Sequence, residues 1–421
     1  MQVAIDKLSD VLQCFPHFDK LLTLCTTKDV YLVGGAVRDA LIDRPLTDLD
    51  LIFPGDPTSL ARSFARKIGG HWFWLDKDRR QSRVVPNREE EGLHYDFAIF
   101  RAPTLESDLM DRDFTINALA LPLAGDLSIS TLVDPCRGLN DLRMGFLRAV
   151  SKESFRNDPL RIIKGVRHAT ALALKIETDT LQSMRSEVAG LDRVAPERIR
   201  QEIWKIISNE QAGRGLQLLL ECGVGERLFG DKFAFLVDRL RGELEVYREV
   251  WRQLVQSHSI VKGWLAQEIE QGLSNETLLL WTLLLTSIDR ELPTQLAEKW
   301  RLSRKARANI TAVVSLDQVA LKELATINRN ERAFMWWADC YHIDPKLLLL
   351  VMTVVGSPET TFTIADVSAW VPLVASLNDQ CLYDLVDGHW LRNELGLKEG
   401  PEMTKALKLL RNAEIFGQVS N

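Results

Sequence analysis

The chain has 421 residues, 46% of them hydrophobic and 26% charged, which suits a globular protein large enough for several packed modules. Its formal net charge is -6, so no global positive field advertises a nucleic-acid partner and any RNA-binding surface must be local. No apolar run approaches the roughly 20 residues of a membrane helix, and the amino terminus lacks a signal-peptide pattern, so a cytoplasmic protein with no membrane partner is expected.

Six cysteines (Cys14, Cys25, Cys136, Cys222, Cys340 and Cys381) form no C-x-x-C pair, and seven histidines form neither H-E-x-x-H nor a His-Asp dipeptide. A zinc site, a disulfide framework and an appended His-Asp phosphohydrolase are therefore not expected; buried thiols are.

Up to about residue 147 the chain alternates. "VYLVGG" reads as a buried strand and turn, "AVRDALID" as a short helix, "TDLDLIF" as a strand, "SLARSFARKIG" as an amphipathic helix, and "HWFWLD" and "LHYDFAIF" as further strands. From about residue 155 the apolar spacing becomes helical and stays so, through "DPLRIIKGVRHATALAL", "PERIRQEIWKIIS", "GRGLQLLLECG", "LRGELEVYREVWRQLVQ" and "ETLLLWTLLLTSI". Breaks are expected at residues 213 to 215, at 355 to 363 and at the glycines near the carboxy terminus. The reading is an α+β head (1–147), then an all-α neck (148–212), body (213–355) and tail (356–421). Eight of the eleven tryptophans lie beyond residue 250, where core packing is expected ahead of base stacking. The basic stretch "KWRLSRKARANI" is the candidate phosphate-contacting surface of the body.

In a strand, Asp48 and Asp50 project from one face while Leu49 and Leu51 project from the other. Two adjacent carboxylates repel, an arrangement suited to divalent cations such as magnesium, which prefer oxygen ligands and complete their shells with water and phosphate. Two such ions, about 3.5–4 Å apart, would activate a hydroxyl and stabilise leaving pyrophosphate. The alternative is a polar strand end. Asp96, on another predicted strand, is a candidate third carboxylate.

Gly34 and Gly35 follow an apolar strand and precede a helix bearing Arg38. Backbone amides freed of side chains can approach an anion, and a triphosphate would fit. The alternative is a plain turn with Arg38 paired to Asp39. Cradle, cation and carboxylates follow one another within seventeen residues, which makes the three weak signals one constellation.

"GGAVRD" followed by "DLD" resembles the signature of the polymerase-beta-like nucleotidyltransferases, specifically the class II tRNA CCA-adding enzymes and related bacterial poly(A) polymerases. "RDFTINALAL", "LVDPCRGLNDLR", "NDPLRIIKGVRHATAL" and "PERIRQEI" are similar to the family's later motifs, in order, and "DGHWLRNELGLKEGPEMTKALKLLRNAEIFGQ" resembles its carboxy-terminal tail. The resemblance implies a polymerase-beta-like head with a mixed sheet, and magnesium-dependent transfer of CMP and AMP from CTP and ATP to the tRNA 3′ end. Asp48 and Asp50 would be catalytic and bind metal, while Gly35 and Arg38 would hold triphosphate. Arg112 would contact phosphate or sugar, with a salt bridge to Asp111 or Asp113 as its alternative.

Cytosine and adenine each present an amino donor beside a ring-nitrogen acceptor, so an Asp/Arg pair can select them against uracil and guanine. Asp158 and Arg161 match the family's base-reading pair and, three apart in a predicted helix, share a face. Asp158-Pro159 also reads as a helix cap. The family pattern carries nucleotide binding on to Lys164 and Arg167. By helical geometry Arg167 points nearly opposite to Asp158, so a neighbouring loop or the RNA is its other reading.

Two departures stand out. Asp111 occupies a position usually basic, and Lys164 one usually arginine, which lysine cannot replace in a bidentate contact. The charged stretch 76 to 92 also lacks the Gly-Thr found near the family's specificity-switching loop. CCA, CC-only and A-only products therefore stay open. The rivals are a poly(A) polymerase and a non-catalytic RNA-binding protein.

Overall fold

The computed structural model describes residues 7–25, 29–87, 92–316, 341–354 and 364–376, with residues 334, 338, 392, 403 and 406. The expected break at 355 to 363, most of the carboxy-terminal motif, Cys340 and Cys381 lie outside the described residues. The chain divides into two compact units: Met1–Val194 with Glu221–Gly223, and Ala195–Leu220 with Val224–Asn421.

The first unit begins with helices α1 (Leu8–Gln13) and α2 (Phe18–Cys25). There follow β1 (Tyr31–Val33), α3 (Gly35–Leu41), β2 (Asp48–Phe53), α4 (Thr58–Ile68), β3 (His71–Asp76), β4 (Gln81–Val85), β5 (His94–Ile99), α5 (Leu105–Met110) and β6 (Ala120–Pro122). The six strands form one sheet in the order β3-β4-β5-β2-β1-β6. Strands β2 and β5 pair in parallel and every other neighbouring pair is antiparallel, giving the expected mixed sheet. Strand β4 lies in the charged stretch that offered no strand in sequence; its alternation buries Ser82 and Val84 and leaves Arg83 on the other face.

Each strand alternates, so the sheet has two unlike faces. The back carries Leu49, Leu51, Val84, Tyr95 and Phe97, all at most 1% exposed. Phe64 of α4 meets Tyr95 edge-on with ring centroids 4.7 Å apart, and Phe15 meets the same ring at 5.2 Å. The front carries Asp48, Asp50, Asp96 and Arg83. One end of it is covered by Leu105 and Leu109 of α5, which cluster with Val33, Ile52, Ala118 and Ala120. A capping box of Thr104 and Ser107 starts α5.

The rest of this unit comprises α6 (Gly138–Met144), β7 (Phe146–Leu147), α7 (Ser154–Asn157), α8 (Leu160–Ala171), β8 (Lys175–Ile176) and α9 (Thr178–Glu187). The parallel pair of β7 and β8 interrupts the expected all-helical run. The "LVDPCRGLNDLR" motif anchors α6: Asp134 accepts the amides of Gly138 (2.7 Å) and Leu139 (3.0 Å), and Asp141 accepts the Thr115 hydroxyl (2.7 Å). Gly165 lets α8 approach Phe114 closely, since a Cβ there would lie 2.8 Å from that ring.

Among its described residues the second unit is helical apart from a two-stranded ribbon of Glu268–Glu270 and Leu273–Ser274. Its centre is the helix Asn275–Ile288, apolar on every side and almost wholly buried. Trp204, Trp251, Trp264, Trp281, Trp300 and Trp370 are all buried, as expected of core tryptophans. The turn in this region lies at 208–211, just before the expected position: Gly213 and Gly215 are buried in the first turn of the helix Ala212–Glu221. In the basic stretch, Arg200 donates to the carbonyls of Trp300 (2.9 Å) and Arg301 (2.8 Å), and Ser303 caps the helix Arg304–Ser315. Of the cysteines described, Cys25 and Cys222 are buried, Cys136 is half-buried and Cys14 is exposed. No described helix is long and apolar enough to cross a membrane.

A Cβ on Gly138 would lie 1.9 Å from the Thr115 carbonyl oxygen, a backbone atom that no rotamer change can move. We expect Gly138→Ala to destabilise the chain by about 3 kcal/mol, the upper end of ordinary overpacking. Chemical denaturation of the two proteins measures the difference.

Candidate active site

The front of the sheet brings the carboxylates together by register. Asp50 on β2 stands opposite Asp96 on β5, and Asp48 lies two residues along on the same face. Burial pushes the Asp50 carboxyl up to about 6, and the negative charges of Asp48 and Asp96 add to the effect; Arg112 and Arg101 oppose it. Asp96 is already claimed. Arg83, its cross-strand neighbour on β4, donates to both of its oxygens, from Nε at 2.7 Å and Nη2 at 2.9 Å. Among the described residues no three histidine, cysteine or acidic side chains form a ready cation cage. Asp48 and Asp50 are thus the carboxylates without an arginine clamp.

Gly34 joins β1 to α3 with φ 74° and ψ −134°, a conformation that L side chains rarely adopt. Space is tight there as well. A Cβ on Gly34 would sit 3.1 Å from Arg112 Nη1 and 3.8 Å from Asp50 Oδ2. The turn, the arginine of "RDFTIN" and the acidic strand therefore meet at one point. The Gly34 amide donates to the Leu119 carbonyl and the Arg38 amide to the Gly34 carbonyl, both at 3.2 Å, so the amides that open α3 between them, starting at Gly35, are those left for an anion.

Arg112 reaches this point from the end of α5. Its Nη2 donates to Asp108 at 3.2 Å, and Asp108, only 1% exposed, also accepts the Arg101 amide at 2.6 Å. The bridge anticipated to Asp111 or Asp113 is made to Asp108 instead, one helical turn back. Arg112 Nε is buried and has no hydrogen-bond partner. A buried donor left unsatisfied is costly, and an anionic ligand would satisfy it.

Arg38 is differently occupied. It is 7% exposed, donates to Asp39 through Nε (2.9 Å) and Nη2 (2.8 Å), and donates through Nη1 to Asn117 Oδ1. The Arg38–Asp39 pairing weighed in sequence is present, and Asn117 ties it to the "RDFTIN" segment. Asn117 Nδ2 donates in turn to Asp113 at 3.1 Å and faces His168 Nε2 at 3.4 Å. Arg167 Nη2 lies 3.1 Å from that same ring nitrogen. The network joins α3 to α8 behind the turn.

Asp158 is extended (φ −140°, ψ 94°) and α8 begins only at Leu160, so the shared-helix-face argument for Asp158 and Arg161 does not apply. What brings them together is the cap: Asp158 Oδ1 accepts the Leu160 amide (3.2 Å), and the Asp158 carbonyl accepts the Arg161 amide (3.0 Å). The Arg161 guanidinium donates to Ser154 Oγ (2.8 Å) and to the carbonyls of Asp111 (2.9 Å) and Arg112 (3.4 Å). It uses the Asp111 backbone, which explains how an unusual side chain at 111 leaves this contact intact. Lys164 is half-buried one turn further along.

The structure adds Asn117, His168, Asp108 and Arg83 to the site's surroundings. Asn117 and His168 stood inside the motifs with no role attached. Asp108 was legible as a residue four before Arg112. Arg83 needed the strand pairing.

Without metal, the folded chain holds the Asp50 proton up to about pH 6, against 3.8 for an ordinary aspartate. Stability therefore falls as pH rises between those values, and above them at most about 3 kcal/mol of destabilisation persists. We expect Asp50→Asn to melt higher than the native chain at about pH 7.5 in chelator, with the gap closing towards about pH 4. A gap independent of pH contradicts this.

Three family models match the chain: the poly(A) polymerase head domain over residues 30–148, the "Probable RNA and SrmB- binding site of polymerase A" over 173–233, and the second tRNA nucleotidyltransferase domain over 273–421. The CC-adding tRNA nucleotidyltransferase of Geobacter sulfurreducens is 35% identical over 251 residues, 59% of this chain and 57% of that one. The CCA-adding enzyme of Streptococcus sanguinis is 30% identical over 406 residues, covering 93% of this chain and 90% of its own length. The Thermotoga maritima CCA-adding enzyme complexed with tRNA shares the fold, with a TM-score of 0.61 at 20% identity over 100% of this chain and 97% of that one. The chain belongs to the family of class II CCA-adding enzymes and bacterial poly(A) polymerases, and it is a nucleotidyltransferase.

Proposed function

We propose that this chain adds CMP and AMP from CTP and ATP to the 3′ hydroxyl of tRNA, releasing pyrophosphate. The observation that carries the reading is the convergence at Gly34, where a glycine-only turn, the Arg112 guanidinium, whose Nε is unsatisfied, and Asp50 lie within van der Waals reach of one point. Such a point accepts a triphosphate on one side and a cation on the other.

In this reading Gly35 and the following amides hold phosphate oxygens, and Arg112 satisfies its buried Nε on the same group. Arg38 acts from behind, fixing the turn through Asp39 and Asn117. Asp48 and Asp50 would hold magnesium. Their all-oxygen chemistry fits a hard cation, and so does a carboxylate that ionises only near pH 6 when no cation is near. When bound, the metal neutralises charge on the attacking hydroxyl and the leaving pyrophosphate. Asp158 accepts from the exocyclic amine of cytosine or adenine while Arg161 donates to the ring nitrogen. Lys164 and Arg167 extend the pocket along α8, and Arg167 also steadies His168. We assign transfer to a head spanning 1–147 and base choice to a neck spanning 148–212. The body (213–355) and tail (356–421) would grip tRNA by shape and backbone contact, which suits duplex RNA.

CC-only addition is the second reading. It is favoured by the 35% identity to a CC-adding enzyme and by the departure of residues 76 to 92 from the family's switching-loop pattern.

Three tRNA substrates, ending before CCA, after C and after CC, should be incubated with CTP and ATP separately and together. We expect extension of all three to the complete CCA end; failure at the final adenosine alone establishes the CC-only reading. Long ATP-only tails establish a poly(A) polymerase, and no extension of any substrate refutes the tRNA assignment. Asp48→Ala should lower incorporation by roughly a hundredfold or more.

A further inference from the structure

The front of the sheet continues past the carboxylates to an edge. Strand register sets Val33, Asp50, Asp96, Arg83 and Phe73 in a single row across β1, β2, β5, β4 and β3, all on one face. At the far end Phe73 is 43% exposed and Leu75, next but one on the same strand, is 42% exposed. This exposure does not come from a loose strand. The back of β3 is half-buried and ordered by ring contacts, with Trp72 and Trp74 edge-to-face at 5.0 Å and Arg62 of α4 over the Trp72 ring at 4.3 Å. Phe73 and Leu75 together form an open apolar patch on the front of the edge strand, the kind of surface that marks an interaction site.

The direction of the chemistry says which partner. The phosphate-holding turn follows β1 and so lies on one side of β2; β5, β4 and β3 lie on the other. In an in-line displacement the attacking hydroxyl stands opposite the leaving pyrophosphate. With pyrophosphate on the β1 side, the attacking strand reaches Asp50 from the β5 side, over Asp96 and Arg83. Three strand spacings, ~14 Å, separate β2 from β3, a distance suited to the last few nucleotides of a single strand. The β3–β4 hairpin adds cations at this edge: Lys77 is exposed, and Arg79, whose side chain is 84% exposed, lies 3.6 Å from Asp76.

We propose that Phe73 is a stacking platform for the single-stranded 3′ end of the RNA being extended, a surface separate from the pocket for the incoming nucleotide. The proposal rests on the transferase reading above and adds the path by which the acceptor strand enters. A base stacks on the exposed ring, and the backbone passes Arg83 and the hairpin cations.

The test measures KM for tRNA lacking its 3′ end, and separately KM for CTP, in the native chain, Phe73→Ala and Phe73→Trp. We expect Phe73→Ala to raise the RNA KM by about 5-fold or more with the CTP KM unchanged, and Phe73→Trp to restore native behaviour. Melting curves should coincide, because the side chain is half in solvent. An RNA KM that stays native in Phe73→Ala overturns the platform while leaving the transferase reading standing; so does a parallel rise in both KM values, or a change confined to self-association, which would mark a contact between copies of the chain. If the native chain extends no RNA, the transferase reading falls and the platform falls with it.

Discussion

Mutual repulsion of carboxylates in one sheet face is the constraint around which the first unit is built. Parallel pairing of β2 with β5 sets Asp50 against Asp96, and the strand alternation that buries Leu49 and Leu51 sends Asp48 to the same side. The cluster is relieved unequally. Arg83 clamps both oxygens of Asp96 from the next strand, while Asp50 has only the more distant charges of Arg112 and Arg101, and Asp48 accepts no more than the Thr47 hydroxyl among the hydrogen bonds described. Two aspartates thus remain in need of a cation beside a turn in need of an anion. In the proposed reading a metal-bound triphosphate answers both needs at once.

The residues proposed for base choice and for phosphate binding share their supports. Arg161, the candidate base reader, holds the carbonyls of Asp111 and Arg112, so its guanidinium also fixes the segment from which Arg112 reaches over Gly34. Behind the turn, Arg38, Asn117, His168 and Arg167 connect α3 to α8. A change in how α8 sits is therefore felt at the turn proposed to hold the phosphates. Geometry of this kind suits an enzyme that must reject a wrong base before transfer, because misplacement at one end is transmitted to the reacting end.

Much of this was legible in the amino-acid sequence, and the remainder was not for identifiable reasons. The glycine turn, the Asp48/Asp50 alternation and the mixed head follow from local patterns with a period of two or a special backbone angle. Strand β4 was missed because "QSRVV" buries only its alternate residues and is flanked by charge. Arg83 became meaningful only through the register of β4 with β5, a non-local property. The helix argument for Asp158 misjudged where α8 begins, since a proline at 159 leaves the aspartate extended and capping. Gly213 and Gly215 read as a break, but the turn falls at 208–211 and the glycines open the helix that follows it. Arg38 looked like a phosphate ligand by position, and only the fold shows Asp39 and Asn117 already on its guanidinium.

The central claim is that carboxylates and turn form one binding site for a metal-bound triphosphate. The most direct measurement is the dissociation constant of CTP, in the absence of RNA, with and without magnesium, for the native chain and for a variant carrying Asp48→Ala and Asp50→Ala. The account predicts that magnesium tightens CTP binding by about tenfold or more in the native chain, a gain of at least about 1.4 kcal/mol, and has no such effect in the variant. Equal tightening in both proteins would contradict it.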